Sequence, residues 1–280
     1  MALTEKRIDE IIRTIRRHGV LANSPRYPHV VNLGRDFPPI EFSDPIPPTI
    51  SWRAFVGFIK DQGAEGSCAG FAGVKVMEMQ QGIHLVERAE EDLSERFLYF
   101  AAKCRDGDPT DPNKQEGTTL AAIADCLLHY GTPTEQSCPY AANQKFDPSV
   151  VISLQLLTEA RKYRINQYRN LLLSAGQSIH ENIQRELTNG PVIMGVQVHR
   201  DFMTPDDSGY INPKAANGTP LGGHAIAFIG YDTTDKTLDQ DGWYTFANSW
   251  GEGYGAGGLG RISFGLLERI LISGYGISVN

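Results

Sequence analysis

Several protein classes are excluded by what this 280-residue chain has little of. Four cysteines are too few for a disulfide scaffold at this length, so Cys104, Cys126 and Cys138 read as free or buried thiols, with one bridge among them left open. No apolar run approaches the roughly 20 residues that span a bilayer. Met1 to Val20 carries Glu5, Lys6, Arg7, Asp9 and Glu10 where a secretory leader is apolar. The expectation is a soluble chain without membrane insertion or a classical signal peptide, either cytoplasmic or exported by a non-classical route. Lysine and arginine form no long block and the net charge is -7, which excludes nucleic acid as the expected partner. No His/Cys group has zinc-ligand spacing, so no metal is expected. Gly253 to Gly258 satisfies the G-x-G-x-x-G pattern, but Leu259 to Phe264 then reads as a strand instead of the helix a dinucleotide site needs. The pattern is a glycine-rich turn, and no cofactor is expected.

What remains is ordinary globular composition, 41% hydrophobic and 21% charged, ample for a sizeable core. Ile8, Ile11, Ile12 and Ile15 share one helical face within Thr4–His18, and Gly19 stops that helix. From Pro25 to Pro48 recurring prolines force an extended strap. Helical patterns follow at Cys68–Gln81, Ser94–Lys103, Leu120–Tyr130, Val150–Lys162 and Ser178–Thr188, with a polar loop at Asp108–Gly117. Strand patterns come later, at Pro191–Val198, Ala225–Tyr231, Trp243–Ala247 and Gly260–Phe264. Helices first and strands afterwards predict an α+β protein with a helical lobe, a β lobe and a cleft between them.

Three short segments carry chemistry. A glycine-rich approach, Asp61-Gln62-Gly63-Ala64-Glu65-Gly66-Ser67, delivers Cys68 to the first turn of a helix. Unpaired amides and the positive end of a helix dipole favour a thiolate there, so the thiol is expected below its ordinary pKa. Among seven histidines, His224 has the strongest local context: Gly222 and Gly223 allow close approach, and the apolar run after it fixes the imidazole. Without partners it is equally a core histidine donating to a carbonyl. Phe246-Ala247-Asn248-Ser249-Trp250-Gly251 supplies an Asn able to orient an imidazole and a Trp able to shield that bond; by itself it reads as an Asn-Ser turn beside a core Trp.

Taken together, the segments resemble the papain-like cysteine protease family, in its Cys-then-His-then-Asn order and at intervals slightly longer than usual. Leu93-Ser94-Glu95-Arg96-Phe97-Leu98-Tyr99 is similar to the family's Leu-Ser-Glu helix start. Gly117 to Tyr140 is similar to its next helix and turn, and Asn189-Gly190-Pro191-Val192 to a strand entry. The likeness runs from about Ile59 to the C-terminus. It implies the two-lobe papain-like fold, with a β-barrel-like second lobe and the site in the cleft. Residues 1–50 would form a helix and proline-rich strap, 51–165 the mainly helical lobe with the nucleophile, and 166–280 the mainly β lobe with the His and Asn. By the same resemblance Cys68 is nucleophile, His224 base, Asn248 its orienter, Gln62 an oxyanion donor and Trp250 a shield. Gly66, Gly117 and Gly223 line the substrate cleft with Trp250.

The implied reaction is hydrolysis of a protein or peptide substrate through an acyl-enzyme, with the N-terminal segment able to occupy the cleft as a short inhibitory propeptide. Alternatives are acyl transfer or isopeptide or cell-wall amide cleavage by the same site, and a silent papain-fold binding protein. Two positions depart from the family pattern: Glu65 stands where a cysteine usually does, and Ala69 where an aromatic does. They mark a divergent, bacterial-type member lacking the active-site disulfide. Glu65 is expected either to face solvent, or to sit close enough to weaken the thiolate or favour basic substrates.

Overall fold

A computed structural model describes residues 3–18, 45–84, 91–106, 117–142, 144, 147, 149–150, 153–172, 178–214, 216 and 218–279, side chains of 14–18 excepted. Most of the proline strap, and the polar loop up to residue 116, lie outside these.

Helix α1 (Glu5–His18) matches the first expected helix. Strand β1 (Thr49–Ser51) follows, running across the expected boundary at residue 50. Helix α2 (Cys68–His84) is mostly apolar around its circumference and correspondingly buried from Cys68 to Val74 without a break, as a central helix should be. Helix α3 (Glu95–Asp106) and helix α4 (Leu120–His129) pack beside it, with the Thr119 hydroxyl accepting from the Ala122 N–H as N-cap. The helix expected over 150–162 is interrupted at Ser153: Ser149 and Val150 are helical, and helix α5 (Leu154–Ala160), capped by Ser153, ends in a 3-10 turn at Arg161–Tyr163.

Strand β2 (Gln167–Asn170) follows, and helix α6 (Ile179–Asn189) precedes strand β3 (Val192–Val198). Strands β4 (Gly222–Asp232), β5 (Trp243–Ala247) and β6 (Leu259–Ser263) follow. Helix α7 (Phe264–Ile270) starts at the residue where β6 was expected to end, capped by Ser263, and strand β7 (Leu271–Ser278) closes the chain. The strands form one antiparallel seven-stranded sheet in the order β2-β7-β3-β4-β5-β6, with β1 added to the far end of β4.

Strand alternation divides the core in two. Ala225, Ala227 and Ile229 of β4 face α2, α3 and α4 in one cluster with Val74, Phe97 and Ile123. The small alanines let α2 lie close on the strand. Ile226 and Phe228 face the other way, with Met194, Tyr244, Phe246, Ile183 and Leu267. Ile11 and Ile12 of α1 join this second cluster, and Ile8 packs partly against it. The Ile15 side chain lies outside the described residues.

Candidate active site

The site forms where the first turn of α2 meets the start of β4. Cys68 is the first residue of α2 and is only 3% exposed. Backbone N–H groups of Ala225, Ala69 and Cys68 itself lie at its sulfur, so the thiol abuts the residue after His224. His224 shares the strand face of Ile226 and Phe228 and is fully buried. Its Nε2 lies 2.8 Å from Asn248 Oδ1. Because an amide oxygen only accepts, Nε2 carries the hydrogen in this bond and Nδ1 is the basic nitrogen. Asn248, just past β5, is set by its own N–H donating to Gly258 O at 3.0 Å. Gly258, at φ +85, belongs to the glycine-rich turn read from the sequence, whose work is therefore to brace Asn248.

Trp250 stacks on the imidazole with ring centroids 4.4 Å apart and 26° between planes, and Phe202 meets the same ring edge-on at 6.3 Å. Tyr254 packs against Trp250 and donates to Phe202 O at 2.9 Å, which closes an aromatic wall. Phe202 lies in no motif, and nothing in its local sequence singles it out.

Gln62 lies on the loop before α2. Its Nε2 donates to Glu65 O at 2.7 Å and its Oε1 accepts from Ser249 Oγ at 2.6 Å. The carbonyl of Glu65 fixes which end of the amide is nitrogen. Gln62 N–H donates to Ser249 O at 2.9 Å, and Asp61 bridges Trp250, so the loop before Cys68 is stitched to the Asn248 segment. Lys60 extends the stitching to α3. Its carbonyl accepts from Gly251 N–H, and its ammonium pairs with Glu95 at 2.8 Å and with Asp92. Burial pulls the Lys60 ammonium down, but Glu95, Glu78 and Asp92 more than offset it and raise its pKa. The Glu95 carboxyl is pushed up to about 8 by burial against the pull of Lys60.

Gly66 is buried two residues before Cys68. Gly223 is half-buried on β4 next to His224. Gly117 lies on the turn before α4, at φ +86, donating to Tyr99 Oη at 3.2 Å.

Three sequence expectations need correction. The Cys68 thiol is not below its ordinary pKa: burial pushes it up to about 11, outweighing the amides that favour the thiolate. Burial likewise pushes His224 down to about 4, against the Asn248 bond that favours its charged form. Glu65 does not face solvent: it is 7% exposed and receives both Nη atoms of Arg96, at 2.6 and 2.8 Å. Its carboxylate is thereby neutralised and occupied, so it neither repels a thiolate with an unpaired charge nor offers a free acceptor to a basic substrate. Cys104, Cys126 and Cys138 are all free, with Cys104 exposed, which removes the one bridge the sequence left open. Among the described residues no helix is long and apolar enough to cross a membrane.

The arrangement agrees with what the chain resembles among known proteins. Residues 46–273 match the family model described as papain family cysteine protease. Cathepsin B-like CP2 of Giardia intestinalis is 25% identical over 218 residues, covering 74% of this chain and 64% of that protein. The chain spans roughly three fifths of the length of the curated relatives it matches. Among solved structures, xylellain, a cysteine protease from Xylella fastidiosa, superposes with a TM-score of 0.68 at 21% identity, covering 84% of this chain and 87% of that one. Digestive procathepsin L 3 of the Tenebrio molitor larval midgut gives 0.67 at 18% identity, over 97% of this chain and 79% of that one. These two show the fold, α+β with two lobes, and the match over residues 46–273 shows the rest: the chain belongs to the papain family of cysteine proteases.

Proposed function

We propose that this chain is a cysteine peptidase that cleaves protein or peptide substrates at Cys68. The observation that carries the reading is the His224 Nε2–Asn248 Oδ1 bond of 2.8 Å under the Trp250 ring, on a strand whose next amide touches the Cys68 sulfur. It leaves Nδ1 as the base for the thiol and holds that tautomer in a dry setting. The thiol proton passes to His224 and the thiolate attacks the scissile carbonyl. The imidazolium protonates the leaving amine, and water attacking through the same base releases the acyl group. Charge developing on the carbonyl oxygen meets the Cys68 backbone N–H and the second hydrogen of Gln62 Nε2, whose first is held by Glu65 O. Gly66, Gly117 and Gly223 give the substrate backbone room to approach.

In this reading the burial of both Cys68 and His224 describes an occluded site. The N-terminus supports that: Ile11 and Ile12 anchor α1 in the β-lobe core, and Arg7 pairs with Asp61, the residue before Gln62 and the bridge partner of Trp250. Helix α1 thus docks at the edge of the cleft, which favours an N-terminal segment that restrains the enzyme.

The test is a peptide-library cleavage profile of the full chain, a chain lacking residues 1–44 and Cys68→Ala, with a peptidyl epoxide as thiol probe. Expected are cleavage and a Cys68 adduct with the truncated chain, less of both with the full chain, and neither with Cys68→Ala. Absence of cleavage and adduct from both cysteine-bearing forms overturns the assignment.

A further inference from the structure

The segment between Gln62 and Cys68 is held from outside by one buried polar cluster. Arg96, on α3 and 1% exposed, forks onto the Glu65 carboxylate at 2.6 and 2.8 Å and also donates to Ala141 O. Its guanidinium carbon lies 4.4 Å from the ring centroid of Tyr140 and 4.7 Å from that of Phe100. The Tyr140 hydroxyl donates to Gln62 O at 2.7 Å. It also lies 2.8 Å from Ser67 Oγ and 3.2 Å from Glu65 Oε2. A hydroxyl has one hydrogen, so the Gln62 carbonyl takes it and Ser67 donates in return. Glu65 O, in turn, accepts from the Gln62 side chain. One cluster therefore fixes the main chain of Gln62, its side-chain amide, and the residue next to Cys68.

Burying an ion pair this deeply costs desolvation of both charges, which only good geometry offsets. The pair has that geometry: two parallel hydrogen bonds and a guanidinium between aromatic faces. Such an arrangement is stiff, because displacing either partner strands a buried charge. With all four cysteines free, no disulfide shares the work.

We propose that Arg96 and Tyr140 are positioning residues for acyl transfer: acting through Glu65 and Ser67, they hold the Gln62 amide and the Cys68 N–H in fixed relation as a pair of oxyanion donors. The proposal rests on the peptidase reading above. An oxyanion donor works only if aligned before the charge develops, and removing one costs roughly 10²–10³-fold in kcat. Loosening a donor without removing it is expected to cost less.

The experiment measures kcat and KM for Tyr140→Phe, Arg96→Lys and Arg96→Met on a fluorogenic peptide taken from the library. In parallel it measures the rate of Cys68 carboxamidomethylation by iodoacetamide, a reaction that forms no oxyanion. Tyr140→Phe, which removes one oxygen from a packed ring, is expected to lower kcat roughly tenfold, with KM within about twofold and the alkylation rate unchanged. Arg96→Met is expected to lower kcat further, and Arg96→Lys, a point charge without the fork, to recover part of the loss. Unchanged kcat in Tyr140→Phe overturns the proposal, and so does a loss of alkylation in step with kcat, which marks general collapse of the site. If Arg96→Met does not fold, Tyr140→Phe decides alone. A wild-type chain that, with and without residues 1–44, neither cleaves peptide nor alkylates at Cys68 fails the peptidase reading itself and is distinguishable from failure of the clamp.

Discussion

The two walls that meet at Cys68 are built by opposite means. The His224–Asn248 wall is part of the β lobe: its residues sit on or beside strands β4 and β5, and its contacts are aromatic stacking and a ladder of main-chain bonds. The Gln62–Glu65 wall has no regular structure between residue 62 and the start of α2. Apart from one main-chain bond, Gln62 N–H to Ser249 O, it is held by side chains of Tyr140, Arg96 and Ser249 reaching in from elsewhere. The proposed general base is thus anchored to the global fold, whereas the proposed oxyanion donor is anchored to a local polar network. Damage to the first should unfold the protein, and damage to the second should slow it.

The largest effect is expected on the strand wall. Phe202 is 1% exposed and stacks on Phe246 at 5.5 Å while meeting Trp250 and His224 edge-on. Phe202→Ala leaves a cavity in the middle of that wall and is expected to cost about 3–5 kcal/mol of stability, read from urea unfolding followed by tryptophan fluorescence. A loss under about 1 kcal/mol, the scale of an ordinary surface change, would break the contrast.

Gln62→Ala tests the other wall. It removes the donor but buries no new charge, so the urea midpoint is expected to move little while kcat falls roughly 10²–10³-fold. The rate of Cys68 alkylation by iodoacetamide is expected to stay at the wild-type value. Should stability fall as far as in Phe202→Ala, the two walls are one structural unit and the contrast fails.

These two walls also differ in how legible they were. Cys68, His224, Asn248 and Trp250 are legible as candidates from their short local segments, each with a bland alternative, and Gln62 only through the family resemblance. The fold class and most helices were readable from local patterns too. Strand β7 was not: Gly274 and Gly276 weaken any strand pattern, yet a side chain at Gly274 would strike Met194 and one at Gly276 would strike Glu186 of α6. Helix α7 is absent from the sequence reading, whose last strand pattern ends at Phe264, because its N-cap Ser263 also closes β6. The fate of Glu65 was the clearest failure. Its partners Arg96 and Tyr140 lie 31 and 75 positions away, and no local pattern says that a carboxylate beside a nucleophile will be buried and paired. The expected low thiol pKa failed similarly, since it weighed the helix terminus and not the desolvation that only the packed lobes impose.

A smaller effect concerns the ion pair by which α1 meets the loop wall. Arg7 and Asp61 are partly exposed, and such pairs contribute about 0–1 kcal/mol. Arg7→Gln is therefore expected to leave the urea midpoint within about 0.5 kcal/mol of wild type, because Ile11 and Ile12 carry the docking of α1. A larger loss would assign the docking to the charge.

The pH dependence of the thiol brings the two walls into one measurement. In the full chain burial holds the Cys68 thiol up to about 11 and His224 down to about 4. A raised thiol pKa means that the reactive thiolate accumulates only as pH rises toward 11, so alkylation should climb steadily through the alkaline range. If the N-terminal segment contributes to that burial, removing residues 1–44 admits water, the desolvation penalty shrinks, and the alkylation midpoint should fall by roughly one unit or more. The donors at the sulfur, N–H groups of Cys68, Ala69 and Ala225, remain in the truncated chain, so what changes is solvation alone. Peptide mapping separates the Cys68 adduct from that of exposed Cys104. A midpoint that stays near 11 after truncation would place the occlusion in the two walls themselves, leaving α1 a packing element of the β lobe and requiring substrate to part the walls before the thiol can ionise.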